Sequence, residues 1–369
     1  MSVIKTGLGE RLVSNDVEGK SFTELPVIDL SRLQSDSVEE RRALAAEVRY
    51  TLCNLAGPIA DYRAPAGPGG EVDSLSLAAI ATGFFYISNH GVPQDVLDAA
   101  FDQAKTFFAQ PMEKKMEVDH KLGDSFKGYV PLKGENVDPA SRGDMHEAFD
   151  LGDDHSAMSS TQTSGNVWPS AEDLPDFRPT LQRAYSEIMA LGQRLFPLFA
   201  LALDLPEQYF ADKLKHPGSA MRVLHYPPQF GPVDTKEIGI GAHTDYECFT
   251  LLAQYGDVQA LQVLNAAGEW IQASPKPGTF VVNIGDQLQR ITNGVFKSTV
   301  HRAINRTGQD RMSMPFFFGL DYDAMLETLP SCITEDRPAK YEPITAGAYV
   351  EKRMKETYVR PAEEVAATA

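Results

Sequence analysis

From Met221 to Leu320 the chain is a succession of short apolar stretches broken by turn sequences, among them Gly256-Asp257, Asn265-Ala266-Ala267-Gly268 and Pro275-Lys276-Pro277-Gly278. Glycine, asparagine and proline at such intervals end strands and reverse the chain. This texture predicts an all-β unit over 221–320, with the helical patterns confined to the residues on either side. The segment 37–55 sets Leu44, Val48, Leu52 and Leu55 on one helical face. A second helix is expected over 94–109, and a short one begins at Pro111. A long one should run from 174 or 177 to 203, with Leu181, Tyr185, Ile188, Leu195 and Phe199 as its apolar stripe. Leu25-Pro26-Val27-Ile28-Asp29-Leu30 reads as a short strand whose proline sits where no ladder donor is lost. Residues 1–24 are expected to be a loose arm. The tail from 324 should be mostly helical, broken at Pro338 and Pro343.

Inside the β unit lies Gly239-Ile240-Gly241-Ala242-His243-Thr244-Asp245-Tyr246. Residues i and i+2 of a strand share a face, so His243 and Asp245 can reach one point in space. His301 supplies a further nitrogen from elsewhere in the unit. Two histidines and one carboxylate on one face, with positions left open, suit non-haem Fe(II). Ten residues beyond His301 come Arg311-Met312-Ser313, which put a guanidinium and a hydroxyl on one strand face. Such a pair can grip a carboxylate, the arginine in bidentate fashion.

These pieces recur in a fixed order: Tyr226-Pro227-Pro228, His243-Thr244-Asp245, Thr250-Leu251-Leu252, Leu261-Gln262-Val263, Val282-Asn283-Ile284-Gly285-Asp286, Thr292-Asn293-Gly294, Lys297-Ser298, His301-Arg302, and Arg311 with Ser313. A lone His-x-Asp carries little weight. The ordered set resembles the core of the Fe(II)/2-oxoglutarate-dependent dioxygenases, in the branch that includes isopenicillin N synthase. The resemblance implies a mainly β fold with flanking helices, its core a double-stranded β-helix (jelly-roll) barrel. It divides the chain into 1–220, a helix and strand region that packs on and completes the barrel; 221–320, the jelly-roll core; and 321–369, a helical tail. Phe84-Phe85-Tyr86-Ile87-Ser88 and Glu147-Ala148-Phe149-Asp150-Leu151-Gly152 resemble two further strands of that family.

The chemistry implied is oxidation of a small organic substrate, by hydroxylation, desaturation or cyclisation, with 2-oxoglutarate converted to succinate and CO2. Fe(II) would be held by His243, Asp245 and His301, with O2 as oxidant and ascorbate as a candidate reductant. The cosubstrate would be held by Arg311, Ser313 and Tyr226. By family position, Tyr129, Phe149, Tyr246, Phe249, Phe316 and Phe318 are candidate substrate contacts, although aromatics in a barrel are more often core than contact, and about half of the six are expected to touch substrate. Two departures bear on the cosubstrate. Leu224 stands where many plant members carry asparagine, and Arg-x-Ser persists in oxidases of this branch that use no 2-oxoglutarate. Around Met221-Arg222-Val223-Leu224 and 239–246 the sequence is also similar to the microbial ethylene-forming enzyme, a likeness that weakens after His243. Arg222 shares a face with Leu224 and Tyr226, so it would either help bind a carboxylate in the barrel or form a structural ion pair. An oxidase without 2-oxoglutarate, ethylene formation, and a catalytically silent barrel serving as a binding protein stand as the alternatives.

Other conspicuous residues invite plainer readings. His90 precedes a glycine in a turn and is expected to cap backbone. His146 and Glu147 lie far upstream of the barrel and are expected to support the site from outside it or to sit at the surface. The Gly/Pro-rich segment 57–73 interrupts the family pattern and reads as a surface loop, with a lid over the site as the other reading. A net charge of −17 over 369 residues argues against nucleic acid or an anionic membrane surface as partner. Three scattered cysteines fit a reducing compartment. The first residues are polar, without the apolar run of a secretory leader. A cytoplasmic enzyme with a small-molecule substrate is the expectation; the oligomeric state is not legible.

Overall fold

The computed structural model describes residues 2–6, 9–13, 24–52, 83–123, 125–137, 142–153, 165–231 and 237–358. The Gly/Pro-rich segment 57–73 lies outside them. Where a loose arm was expected, Ser2–Thr6 (β1) and Gly9–Val13 (β2) pair antiparallel. The chain continues with Val27–Asp29 (β3), the helix Val38–Leu52 (α1), and Phe84–Ser88 (β4). The helices Gln94–Phe108 (α2) and Met112–Met116 (α3) lead to the strands Gly128–Val130 (β5) and Glu147–Gly152 (β6). The long helix Phe177–Ala202 (α4) precedes the ten-residue strand Pro217–Tyr226 (β7).

The short strands come next, as the turn chemistry requires. They are Ile240–His243 (β8), Phe249–Gln254 (β9), Leu261–Leu264 (β10), Trp270–Gln272 (β11) and Thr279–Ile284 (β12). One short helix, Asp286–Ile291 (α5), separates them from His301–Ala303 (β13) and Arg311–Asp321 (β14). The strands form an eight-stranded sheet in the order β3-β4-β12-β9-β14-β7-β6-β5 and a four-stranded sheet in the order β11-β10-β13-β8. Two facing sheets that fold back on each other are the jelly-roll solution to the edge-strand problem.

Apart from the edge strand β3, where Val27 and Asp29 are exposed, the eight-stranded sheet is largely buried on both sides. On its outer face α4 lies against β14 and α2 against β7, with α1 packed on α4. The stripe on α4 explains this: Leu181, Ala184, Ile188, Leu191, Leu195 and Phe199 recur at helical spacing and are all buried. At Gly192 the missing side chain lets α4 approach β14, because a Cβ there would run into the Phe318 ring.

The tail departs from expectation. Residues 324–345 hold a short ladder of Met325–Leu326 (β15) with Ile344–Thr345 (β16) and a 3-10 turn at Pro330–Cys332, and among the tail's described residues only Ala346–Tyr358 (α6) is α-helical. Pro330, Pro338 and Pro343 each remove a backbone donor, so the segment closes on itself by strand pairing before a helix can start. No helix among the described residues is long and apolar enough to cross a membrane.

Candidate active site

β8 ends at His243, and the ladder pairs it directly with His301, the first residue of β13. Their ring centroids are 4.2 Å apart. The loop after β8 is docked on the start of α5, where the N–H groups of Gly285, Asp286 and Gln287 donate to the carbonyls of Cys248, Asp245 and Glu247 at 2.9, 2.8 and 3.2 Å. Asp245 Oδ1 is thereby placed 3.5 Å from Nε2 of each histidine. The donor atoms of all three lie within 4.8 Å of one another, the only such cluster of three among the described residues.

The hydrogen bonds behind these side chains decide what they offer. His243 Nδ1 faces the Gly241 carbonyl at 2.8 Å, and His301 Nδ1 faces the Thr299 carbonyl at 3.2 Å. A carbonyl only accepts, so each Nδ1 carries the proton and each Nε2 presents its lone pair to the common point. Asp245 Oδ2 accepts from the Thr250 hydroxyl at 2.5 Å and the Asn283 amide at 2.8 Å, which leaves Oδ1 turned to the histidines. Burial works to raise the Asp245 carboxyl, but His301, His243 and Thr250 outweigh it and hold it well below the usual carboxylate range. Burial, helped by His243 alongside, pushes the His301 imidazole down to about 4. The cluster thus offers a carboxylate and nitrogen lone pairs in a buried setting, the donor set of a non-haem Fe(II) centre.

Arg311 opens β14 and is 2 % exposed. It meets only neutral groups among the described residues: Ser313 Oγ from Nη1 and Gln254 Oε1 from Nη2, both at 3.3 Å, and the Tyr226 hydroxyl. Its Nε has no partner, and the guanidinium lies 4.6 Å from the Tyr226 ring centroid. A buried cation this poorly compensated is costly until an anion joins it. Arg311, Ser313 and Tyr226 line the same cavity as His243, Asp245 and His301, a space of about 200 Å³ between the two sheets.

Strand parity sorts the aromatic candidates. Arg311 and Ser313 face inward, so Pro315 and Phe317 do as well, and both line the cavity. Phe316 and Phe318 therefore face α4 and belong to the outer core, with Tyr185 and Gly192 as neighbours. The same alternation turns Asp150, Thr250 and Leu252 inward and sends Phe149 and Phe249 into that core. Tyr129 is buried there too, its hydroxyl donating to Glu147 at 2.6 Å. Five of the six expected substrate contacts, Tyr129, Phe149, Phe249, Phe316 and Phe318, are thus corrected to core positions. Tyr246 alone of the six lines the cavity.

Comparison with known proteins agrees with this geometry. Residues 217–320 match the model of the 2OG-Fe(II) oxygenase superfamily, and residues 58–171 match that of the non-haem dioxygenase N-terminal region. The chain is 34 % identical to the 2-oxoglutarate-Fe(II) type oxidoreductase ppzC of Metarhizium majus, over 96 % of this chain and 90 % of that one. It belongs to the 2OG-Fe(II) oxygenase superfamily. The homoarginine-6-hydroxylase 2-ODD-C23 of Glycine max is 33 % identical over 84 % of this chain and 89 % of its own length. Among solved structures, a full-length Neurospora crassa protein in complex with alpha-KG and thymine superposes with a TM-score of 0.74 at 25 % identity, covering 93 % of this chain and 99 % of that one. The family uses Fe(II), 2-oxoglutarate and O2, and this chain is an enzyme of that class.

One part of the oxygenase's cavity wall is charged, and the geometry there bears on the two readings of Arg222. Its Nη1 and Nη2 donate to Glu135 at 2.7 and 2.8 Å, and its Nε and Nη2 to Asp150 at 2.5 and 2.6 Å. Four donor contacts are committed to two carboxylates, which supports the structural ion-pair reading of Arg222. His146 joins the same network through Glu135 Oε2 at 3.1 Å and the Gly239 carbonyl at 2.7 Å. Glu147 points away from the cavity to Lys115, Tyr129 and His225. Both are buried, which excludes the surface reading. His90 accepts from the Val92 N–H at 3.1 Å, the backbone cap expected of it.

Sequence reasoning missed Glu247, Phe317, Tyr322, Val350 and Met354, all of which line the cavity of the oxygenase. The parity of Arg311 and Ser313 would have found Phe317. Burial, and the charge of Asp245 beside it, push the Glu247 carboxyl up to about 8, against the opposing amide of Gln287.

Proposed function

We propose that this oxygenase oxidises a small organic molecule bound between the two sheets, with His243, Asp245 and His301 holding Fe(II) and Arg311, Ser313 and Tyr226 holding the distal carboxylate of 2-oxoglutarate. Fe(II) and 2-oxoglutarate, when bound, supply the oxidative decarboxylation that yields succinate and CO2 and the oxidant that attacks the substrate. The chain's own part is positioning and exclusion. Thr250 and Asn283 fix which Asp245 oxygen faces inward, and the Gly241 and Thr299 carbonyls fix the histidine tautomers. Arg311 matches a carboxylate with two parallel N–H donors, which a lysine would not. Tyr246, Phe317, Val350 and Met354 present apolar surface on the remaining wall, while the Arg222 network supplies a rigid polar patch. A cavity with apolar walls and a few fixed polar groups suits a small molecule.

The observation that carries this reading is the buried, under-partnered Arg311 in the same cavity as the His-Asp-His cluster. Hydroxylation is the outcome favoured by relatives named as hydroxylases. The test is succinate formation from 2-oxoglutarate with Fe(II) in air, screened against small molecules. Wild type should form succinate faster with a true substrate, and Asp245→Ala should fall to the rate without enzyme. Succinate formation that survives Asp245→Ala would overturn the assignment.

A further inference from the structure

The helix α6 is not an appendage to the barrel. Ala346, Tyr349, Val350 and Arg353 are buried along it at helical spacing. Val350 and Met354, four residues apart, reach the cavity. Tyr349 and Arg353, also four apart, reach Asp286 at the start of α5. There Arg353 Nη1 pairs with Asp286 Oδ2, the Tyr349 hydroxyl donates to the same oxygen at 2.8 Å, and the Ser298 hydroxyl donates to Oδ1 at 2.7 Å. Asp286 is fully buried and Arg353 nearly so.

The far side of this knot is the turn between His243 and Asp245. The Thr244 hydroxyl donates to Asp286 Oδ2 at 3.3 Å, and the Asp286 N–H donates to the Asp245 carbonyl at 2.8 Å. The Arg353 guanidinium also lies 4.4 Å from the ring centroid of Tyr246, the next residue along. One buried carboxylate therefore holds the helix that forms part of the substrate wall and the turn that carries two of the metal-ligand candidates. The start of α6 has separate anchors, through Ala346 N–H to the Ala324 carbonyl at 2.9 Å and Gly347 N–H to the Tyr322 carbonyl at 2.8 Å. Its later turns carry the contacts to the Asp286 knot, with Tyr349 also packed in the core.

We propose that Arg353 is a positioning residue: through Asp286 it locks α6 and the 243–246 turn into one unit, and so fixes Val350 and Met354 relative to the iron. The proposal rests on the reading of His243, Asp245 and His301 as the iron ligands. Removing Arg353 alone would strand a buried carboxylate and endanger folding. The informative variants are Asp286→Asn with Arg353→Gln, which removes both charges, and Arg353→Lys, which keeps the charge and loses the fork.

The experiment is hydrogen–deuterium exchange on the full chain, alone and with Mn(II) plus 2-oxoglutarate, together with Mn(II) titration. In the double variant, residues 349–356 and the 243–246 turn should both exchange faster in the unliganded protein. Mn(II) should bind about tenfold more weakly, the scale seen when a group supporting a ligand is lost. Arg353→Lys should recover part of that affinity. If α6 loosens while the turn and the Mn(II) affinity stay as in wild type, α6 is merely a packed helix and the proposal is overturned. Should wild type bind no Mn(II), the iron-site reading fails; joint loosening in the unliganded protein would still support the latch, and loosening of α6 alone would overturn it. Should the double variant not fold, Arg353→Lys decides by the same readouts.

Discussion

Arg311 shows how a single residue can advertise a ligand. It is buried against two neutral side chains at 3.3 Å and an aromatic face, an arrangement that makes sense only with an anion beside it. The residues flanking it on β14 test the parity assignment. Phe317→Ala should leave the fold intact and change which small molecules stimulate succinate formation. Phe316→Ala should cost about 3–5 kcal/mol of stability, the range for emptying a core aromatic site, and leave the substrate profile of the folded protein unchanged. Thermal melts and a substrate panel on the two variants check both halves, and a reversed pattern would refute the parity. The ligand candidates and the Arg-x-Ser pair were legible in the sequence because their chemistry is rare and their spacing is set by strand geometry. The aromatic contacts were not, because phenylalanine serves a core and a cavity equally well. Which way each points depends on a strand register that Arg311 and Ser313 could have fixed but that family position alone did not. Arg222 could not be resolved by sequence either, since Glu135 and Asp150 lie 87 and 72 residues from it along the chain.

At the scale of elements, α4 and β14 meet through Gly192. A glycine in a helix interior normally costs about 1 kcal/mol relative to alanine, so Gly→Ala is expected to stabilise. Here the added Cβ would strike the Phe318 ring, and Gly192→Ala should destabilise by about 1–3 kcal/mol, as overpacked cores do; denaturant unfolding reads the sign directly. The end of β7 carries a pH-dependent link. His225 Nδ1 and Nε2 face Glu147 and Asp310 at 2.8 and 2.9 Å. Burial works to lower its proton affinity, but the two carboxylates outweigh it, so the folded-state pKa stands above the ordinary value. The sign follows: this stabilisation is fully present below about pH 6.5, the unfolded value, and is lost as pH rises through the folded value. The difference in stability between wild type and His225→Gln should therefore be larger at pH 6 than at pH 9, by about 1 kcal/mol once the exposure of Asp310 is discounted; a gap that widened with pH would contradict it. Helices α1 and α4 were legible from apolar spacing. The pairing of 325–326 with 344–345 was not, because two-residue ladders have no periodicity to read.

For the whole molecule, the central feature is a cavity between two sheets that brings together residues as far apart in sequence as Phe84 and Met354. Turn chemistry made the β unit legible, and the ordered motifs gave its architecture. The far wall was hidden because α6 is held there by long-range contacts, the buried Asp286–Arg353 pair among them, that no local pattern announces. The eight-stranded sheet takes four of its strands, β3 to β6, from residues before 221, so the barrel and what precedes it share one hydrogen-bonded surface. The measurement that tests the account most directly is anaerobic titration of the Fe(II)-loaded protein with 2-oxoglutarate, followed by the weak visible charge-transfer band of the chelate. Wild type should develop the band. His301→Ala should not, and Arg311→Ala should need roughly 100-fold more 2-oxoglutarate, the equivalent of about 3 kcal/mol for a lost bidentate carboxylate contact. Iron that binds without any band in wild type, or an Arg311→Ala variant with unchanged 2-oxoglutarate affinity, would contradict the account.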